Sequence, residues 1–288
     1  MIFINNILLY FYNIKNIDII SNNNSNMYFK NENGYYILKK IDNFDITFIN
    51  NIEKLNIFKY IINNKFNNKI STYNNTNYAL MNIRIQRPNK IINIDDLIYI
   101  MNINFYIPMK INNYYLLWIT KVEYIQEYIK EYDLSDYDIN YYLGLSDIAI
   151  NMIKKIDYSN ISYGLVYKRF YNINEIYDLF DPFNLYYGSK VNTISEFIKY
   201  SYFYNHHKNE YEKIFKLNLN LNDYILFIAR LIFPTYFFDL LGEKNIQQKY
   251  INIVNNIDGY NNFIKEIILE IKKRYKNLSF LENIINLL

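Results

Sequence analysis

Two histidines, no cysteine and six glycines leave this 288-residue chain few routes to chemistry. The histidines are neighbours, His206-His207. Adjacent residues on a helix point in different directions, so they do not form the i, i+4 pair of a zinc-binding helix and read as an exposed polar pair. Without cysteine there is no disulfide and no thiolate metal site. The glycines, at 34, 144, 164, 188, 242 and 259, never come close enough in sequence to cradle a phosphate. Walker A, the G-x-G-x-x-G fingerprint and the Gly-flanked nucleophile elbow are therefore excluded. Charged side chains in apolar settings remain. Arg230 lies in the run ARLIFP and wants a carboxylate partner, for which Glu196 and Asp239 are candidates; ligand binding is the other reading. Arg169 cannot be a general base, because a guanidinium stays protonated and has no acceptor. It reads either as half of a buried ion pair or as a cation aimed at a ligand.

The stretch from Ile161 to Tyr200 organises the chain: ISYGLVYKRF, a spacer, then DPFNLYYGSKVNTISEFIKY. Its layout resembles the active-site segment of the aminoglycoside-phosphotransferase and CotS branch of the kinase-like fold. There a strand ends in a His-x-Asp loop whose Asp accepts the substrate proton, and a magnesium-holding Asp and an Asp-Leu-Ala helix start follow. Here the loop reads Tyr167-Lys168-Arg169-Phe170, the metal position reads Asn184, and the helix opens Asn192-Thr193-Ile194-Ser195. Two further runs, YYLGLSDIAI from Tyr141 and ARLIFPTYFF from Ala229, are similar to segments of the YutH-type endospore coat-associated proteins, as are Asp181-Pro182 and Glu196-Phe197-Ile198-Lys199. The resemblance covers Trp118 to Asp239. It implies a two-lobed α+β kinase-like fold whose catalytic positions are degenerate: Tyr167, Arg169, Asn184 and Thr193.

A phosphotransfer reading needs a base, a metal holder and a phosphate-binding lysine. Asn184 can offer an oxygen to magnesium but no negative charge, and Thr193 cannot replace a carboxylate. Asp181, beside Pro182, is placed to start a turn. Lys39 or Lys40 could be the lysine, paired with Glu53 on the following helix; surface solvation explains both equally. Losing base and metal charge together forfeits several powers of ten in rate, at ~1.4 kcal/mol each. The expectation is a pseudoenzyme with no cofactor, and the resemblance implies that it serves a coat as a structural or interaction protein. The alternatives are an ATP-Mg phosphotransferase with displaced carboxylates (Asp178, Asp181 or Glu196) and a nucleotide-binding switch.

The elements that must position these residues follow from pattern. Ile2 to Tyr12 is apolar and reads as a first strand or helix. Met27 to Ile41 reads as a hairpin with its turn at Asn31-Glu32-Asn33-Gly34, since Asn and Gly both tolerate positive φ. Leu55, Phe58, Ile61 and Ile62 fall at helical intervals, predicting a helix over 52–64. A strand is expected over 78–85, ended near Pro88, a short helix from Asp95-Asp96 and extended chain over 105–108. Trp118, Val122, Ile125, Ile129 and Tyr132 form one apolar stripe, then 133–138 is a polar break. Helices are expected over 143–156, 191–204 and from an Asn222 N-cap to Leu241, split or kinked by Pro234 and closed by Gly242. A strand is expected over 162–170, and a helix over 261–273 buries Phe263, Ile264, Ile267, Ile268 and Ile271, before a last short helix. The small β-rich part is placed at 1–112 and the helical part at 113–288.

Composition sets limits. Hydrophobic residues are 51% and charged residues 20%, with 34 Tyr and 20 Phe, which is the make-up of a folded chain. A net charge of +3 is too small for a nucleic-acid footprint. No apolar run approaches the ~20 residues of a membrane span, and the N-terminus has no basic start of a signal peptide. A cytoplasmic protein is expected, and the YutH-type resemblance implies coat association with protein partners.

Overall fold

The computed structural model describes the chain apart from residues 1, 23–25, 43, 58–59, 84–92, 108–112, 133–138, 155, 168–180, 206–208, 242–252, 276–277 and 279. It divides into two compact units, Met1–Ile92 with Tyr171–Tyr186, and Asn93–Phe170 with Tyr187–Leu288. The division differs from the expected break at 112. Residues 93–112 group with the helical unit, and a segment far along the chain returns to the β-rich one.

The first unit opens with helix α1 (Ile2–Tyr12), followed by strands β1 (Asp18–Asn22), β2 (Asn26–Asn31) and β3 (Gly34–Ile41). Helix α2 (Ile46–Glu53) leads to β4 (Tyr60–Ile62), β5 (Ser71–Tyr73) and β6 (Thr76–Asn82). The sheet is antiparallel in the order β1-β2-β3-β6-β4, with β5 also on β6. The β2–β3 hairpin forms with its turn where expected: the register pairs Asn31 with Gly34, and the loop is Glu32-Asn33. Only Gly34 takes a positive φ there, 139°; Asn33 instead donates its N–H to Asn31 Oδ1 at 2.8 Å.

Strand alternation gives the sheet two covered faces. Tyr36 and Leu38 of β3 pack with Ile7, Leu8 and Phe11 of α1 and with Met27, Phe29 and Leu80. Ile37 and Ile41 pack on the other face with Ile49, Ile61, Ala79, Met81 and Phe183. Lys39 shares the register of this second face.

The helix expected over 52–64 is not there. The helix starts earlier because Asp45 caps it, accepting from the N–H groups of Thr47 and Phe48. It ends before Asn56, whose φ of 55° cannot continue a helix. Ile61 and Ile62 then join the sheet through β6, where β-branched side chains fit the pleat.

The second unit holds helices α3 (Ile94–Met101), α4 (Tyr114–Tyr132) and α5 (Ile139–Ile153). Strand β7 (Tyr163–Tyr167) pairs with β8 (Leu185–Ser189), which leads into α6 (Lys190–Tyr200) and a π-helical continuation, Ser201–Asn205. After a 3-10 segment, Asn209–Lys216, come α7 (Leu221–Ile232), α8 (Thr235–Leu241), α9 (Ile257–Arg274) and α10 (Phe280–Leu287). Trp118, Val122 and Ile125 are buried as the α4 stripe requires, Trp118 stacking on Phe233 at 4.4 Å between centroids. All five residues expected on the buried face of α9 are buried.

Two helix starts share one device. Asn93 and Asn220 each accept from the N–H three residues on, while Asp96 and Asp223 accept from the cap N–H in return. The α7 cap is therefore Asn220 and not Asn222. Pro234 splits α7 from α8, as expected. The stretch 221–241 is, among the described residues, long and apolar enough to cross a membrane, contrary to the sequence expectation. It is broken at Pro234, and 72% of its most apolar window is buried in the fold, as in a core helix.

Candidate functional site

Within the first unit, the 3-10 turn Pro182–Asn184 places two oxygen-bearing side chains beside β3. Asp181 caps this turn, its Oδ1 accepting from the Phe183 N–H at 2.9 Å. Phe183 is buried in the second sheet face, which anchors the turn there. The other carboxylate oxygen, Oδ2, accepts from the Lys39 ammonium, and the same Nζ donates to Asn184 Oδ1 at 2.7 Å. Asp181 is 2% exposed and the Lys39 side chain 12%. A carboxylate so buried needs a partner, and Lys39 supplies it.

The expected pairing of Lys39 with Glu53 does not form. Glu53 Oε2 is bonded by Lys69, and its Oε1 accepts from the Ile61 N–H at 2.9 Å. Glu53 stands at the last position of α2, so it ties the helix end to β4. Lys40 is solvent-exposed near the end of β3. Asp181 does start a turn, as its neighbour Pro182 suggested. Its ion pair with Lys39, 142 residues away, left no sequence signal beyond the two residue types.

In the second unit, the end of β7 and the start of α6 are locked together. The Tyr167 N–H donates to Thr193 Oγ1 at 2.8 Å in a buried setting. Asn192 Nδ2 donates to the Tyr114 hydroxyl at 2.7 Å. Arg169, Phe170, Asp178 and His206-His207 lie outside the described residues, as do Pro88, Pro108 and Gly242. At the other end of β7, Asp223 accepts from the Ser162 N–H at 2.8 Å and the Ser162 hydroxyl at 2.6 Å. It is fully buried and was not singled out in the sequence, although the Asn-x-x-Asp spacing of a capping box marked it. Burial, with Tyr114 and Asp223 nearby, pushes the Tyr163 hydroxyl up to about 12.

Arg230 takes the structural partner expected of it. Its Nη2 donates to Glu196 Oε1 at 3.1 Å and its Nε to Ser195 Oγ at 2.9 Å. Asp239 is taken by Lys121. Lys199, one turn on from Ser195, is only 2% exposed and donates to Phe233 O at 2.7 Å, beside the Pro234 break. Burial pulls its ammonium down to about 8, against a smaller opposing effect of Glu196.

No set of three or more His, Asp or Glu that could hold a metal ion occurs among the described residues. The one carboxylate and one carboxamide at Asp181 and Asn184 fall short of the oxygen set that magnesium requires, and Lys39 engages both.

No protein-family model matches the chain, and no curated protein matches it. Solved structures do. An aminoglycoside phosphotransferase from Alicyclobacillus acidocaldarius subsp. acidocaldarius DSM 446 superposes with a TM-score of 0.64 at 8% identity, over 90% of this chain and 93% of that one. Spectinomycin phosphotransferase APH(9)-Ia matches in its AMP-bound complex with a TM-score of 0.59 at 12% identity, over 91% and 96% of the two chains. Its complex with ADP and spectinomycin gives 0.53 at 13% identity, over 91% and 93%. At such identities the likeness shows the fold alone. The antiparallel first unit, the mostly helical second and these superpositions together give the chain the aminoglycoside phosphotransferase-like kinase fold.

Proposed function

We propose that this chain is a catalytically degenerate kinase-like protein that acts by binding other proteins and not by transferring a phosphoryl group. The observation that carries the reading is the closure of Lys39 on Asp181 and Asn184. In protein kinases the lysine of the third strand meets the nucleotide phosphates and pairs with a helix glutamate, while an Asp and an Asn hold magnesium. Here the same residue types satisfy one another, and the helix glutamate, Glu53, serves Lys69 and the backbone. The Tyr167 backbone is steadied by a neutral hydroxyl, that of Thr193, and neither side chain can take a proton from a substrate at neutral pH.

The YutH-type resemblance of 118–239 supports a coat-associated structural role, made in the cytoplasm and recruited by protein contacts. A second reading is favoured by the same cluster, since a cation and two oxygen donors lie together in it. On that view the chain binds a nucleotide, as one of its fold neighbours does in complexes with ADP and with AMP. It is then a switch, or an ATP-Mg phosphotransferase with displaced carboxylates. Magnesium does not fit the described donors while Lys39 holds them, so no catalytic step is assigned to it.

Incubation with γ-labelled ATP, magnesium and a panel of hydroxylated and aminoglycoside acceptors tests the reading. Label released or transferred no faster than in protein-free controls is the expected result. Transfer abolished by Asp181→Asn overturns it in favour of the enzyme.

A further inference from the structure

The unit formed by Met1–Ile92 and Tyr171–Tyr186 carries eleven Lys and Arg against eight Asp and Glu, which is the whole of the chain's net charge of +3. The charge is also unevenly spread in sequence. Residues 1–17 and 54–92 contain no Asp or Glu, and 54–92 contain seven Lys and Arg. These two carboxylate-free stretches meet beside α1. The Lys65 N–H donates to Phe11 O at 2.8 Å, which seats the turn after β4 against the end of α1.

What they present there is apolar as well as basic. Helix α1 buries Ile7, Leu8 and Phe11 but exposes Leu9 and Tyr10, at 45% and 53%. Phe66, also 53% exposed, lies 6.1 Å from the Tyr10 ring and 6.3 Å from Phe11. The Lys65 ammonium sits 3.9 Å over the Tyr10 ring. Beside Leu9 a groove of about 360 Å³ is lined by Asn5, Ile14 and the exposed Lys15 among others. Lys69, by contrast, is engaged by Glu53.

We propose that this face docks on an anionic lipid bilayer. Aliphatic and aromatic side chains standing half out of a helix enter the headgroup region, and Tyr favours that boundary. Lysines flanking them keep their stems on apolar surface while the ammonium reaches lipid phosphates or carboxylates. The charge favours an anionic over a zwitterionic surface. The aliphatic Leu9 and the uncharged Asn5, Asn6 and Asn13 around it favour lipid over a nucleic acid, which demands a denser array of cations. The chain lies on such a surface and does not span it. This inference is independent of whether a nucleotide binds.

The test is sedimentation of the full chain with sucrose-loaded vesicles, of phosphatidylcholine alone or mixed with phosphatidylserine. The chain is expected to sediment with the mixed vesicles and not with the neutral ones, and to be released by salt. The variants L9E/F66E and K15A/K65A each lower the partition coefficient on the order of tenfold, with circular dichroism unchanged and melting close to the parent's, because all four side chains are solvent-exposed. Leu116→Glu, at an equally exposed site on α4 of the other unit, leaves binding as it was. Failure of the parent chain to sediment, equal binding to both vesicles, or parent-like binding by L9E/F66E overturns the proposal and returns this face to a protein partner.

Discussion

The ammonium of Lys39 is bonded to the carboxylate of Asp181, a residue that folds back into the β-rich unit from far along the chain. That pair is a clasp holding the 3-10 turn to β3, and on the proposed reading it occupies the residue types a kinase would direct at nucleotide and metal.

The clasp has a measurable cost of removal. Lys39→Met leaves Asp181 buried without its cation, and breaking one side of a buried pair destabilises by about 3 kcal/mol. The double variant K39M/D181N removes the charge from both ends and is expected to recover much of that loss. Urea denaturation of the parent and both variants checks this; a Lys39→Met variant as stable as the parent would contradict the clasp.

The Tyr167–Thr193 bond predicts a smaller loss. Thr193→Val keeps shape but leaves a buried N–H with its acceptor gone, at about 1–3 kcal/mol. Thr193→Ser retains the hydroxyl and is expected to lose clearly less. Equal losses in the two variants would assign the effect to packing.

Capping residues should rank in a definite order. Asn220→Ala removes the cap bond and the exposed bond from Nδ2 to Asn160 O, and costs about 1 kcal/mol. Asp223→Ala removes the reciprocal bond and both Ser162 bonds from a fully buried site, and costs about 3 kcal/mol or more. Chemical denaturation gives both values, and a reversed order would refute the role assigned to Asp223.

Lys199 makes stability depend on pH in an unusual direction. Its folded value is lowered to about 8 from an ordinary 10.5, mainly by burial, with Glu196, Arg230, Lys121 and Asp239 around it. Between those two values the unfolded chain holds the proton that the folded chain has lost, so stability rises with pH across that window. The buried tyrosines act oppositely above pH 10. Tyr163 and Tyr224 are raised to about 12 and Tyr260 further, so folding retains their protons and loses stability as pH climbs. The parent's melting temperature, relative to that of Lys199→Met, should therefore increase between pH 8 and 9.5. A constant difference would place Lys199 in contact with water.

Much of this fold was legible in the sequence, and the reasons are local. The hairpin over 27–41, the Trp118 stripe and the Pro234 break are each set by residues within one or two turns of each other. The helix expected over 52–64 failed because its apolar spacing of three and four also suits a helix end followed by a strand. The deciding features, the Asp45 cap and the left-handed Asn56, are polar and easily passed over. The candidate site was less legible. Lys39 was picked out with the wrong partner, since pattern along the chain says nothing of which distant carboxylate arrives. Glu53 was the acid expected from sequence order; Asp181 is the one that arrives in space. Arg230 was legible because a charge in an apolar helix needs a carboxylate, and of the two candidates Glu196 is the one it meets.

The central claim is that the kinase-like frame has given up nucleotide chemistry, and the most direct measurement is a thermal-shift titration of the purified chain with ATP, with and without magnesium. A ligand that binds only the folded state raises the melting temperature with concentration, by RT ln(1 + [L]/Kd) in free energy. No shift is predicted at millimolar nucleotide in either condition. A concentration-dependent rise that requires magnesium and disappears in Asp181→Asn would contradict the claim and restore the phosphotransferase; a rise indifferent to magnesium would make the chain a nucleotide-binding switch.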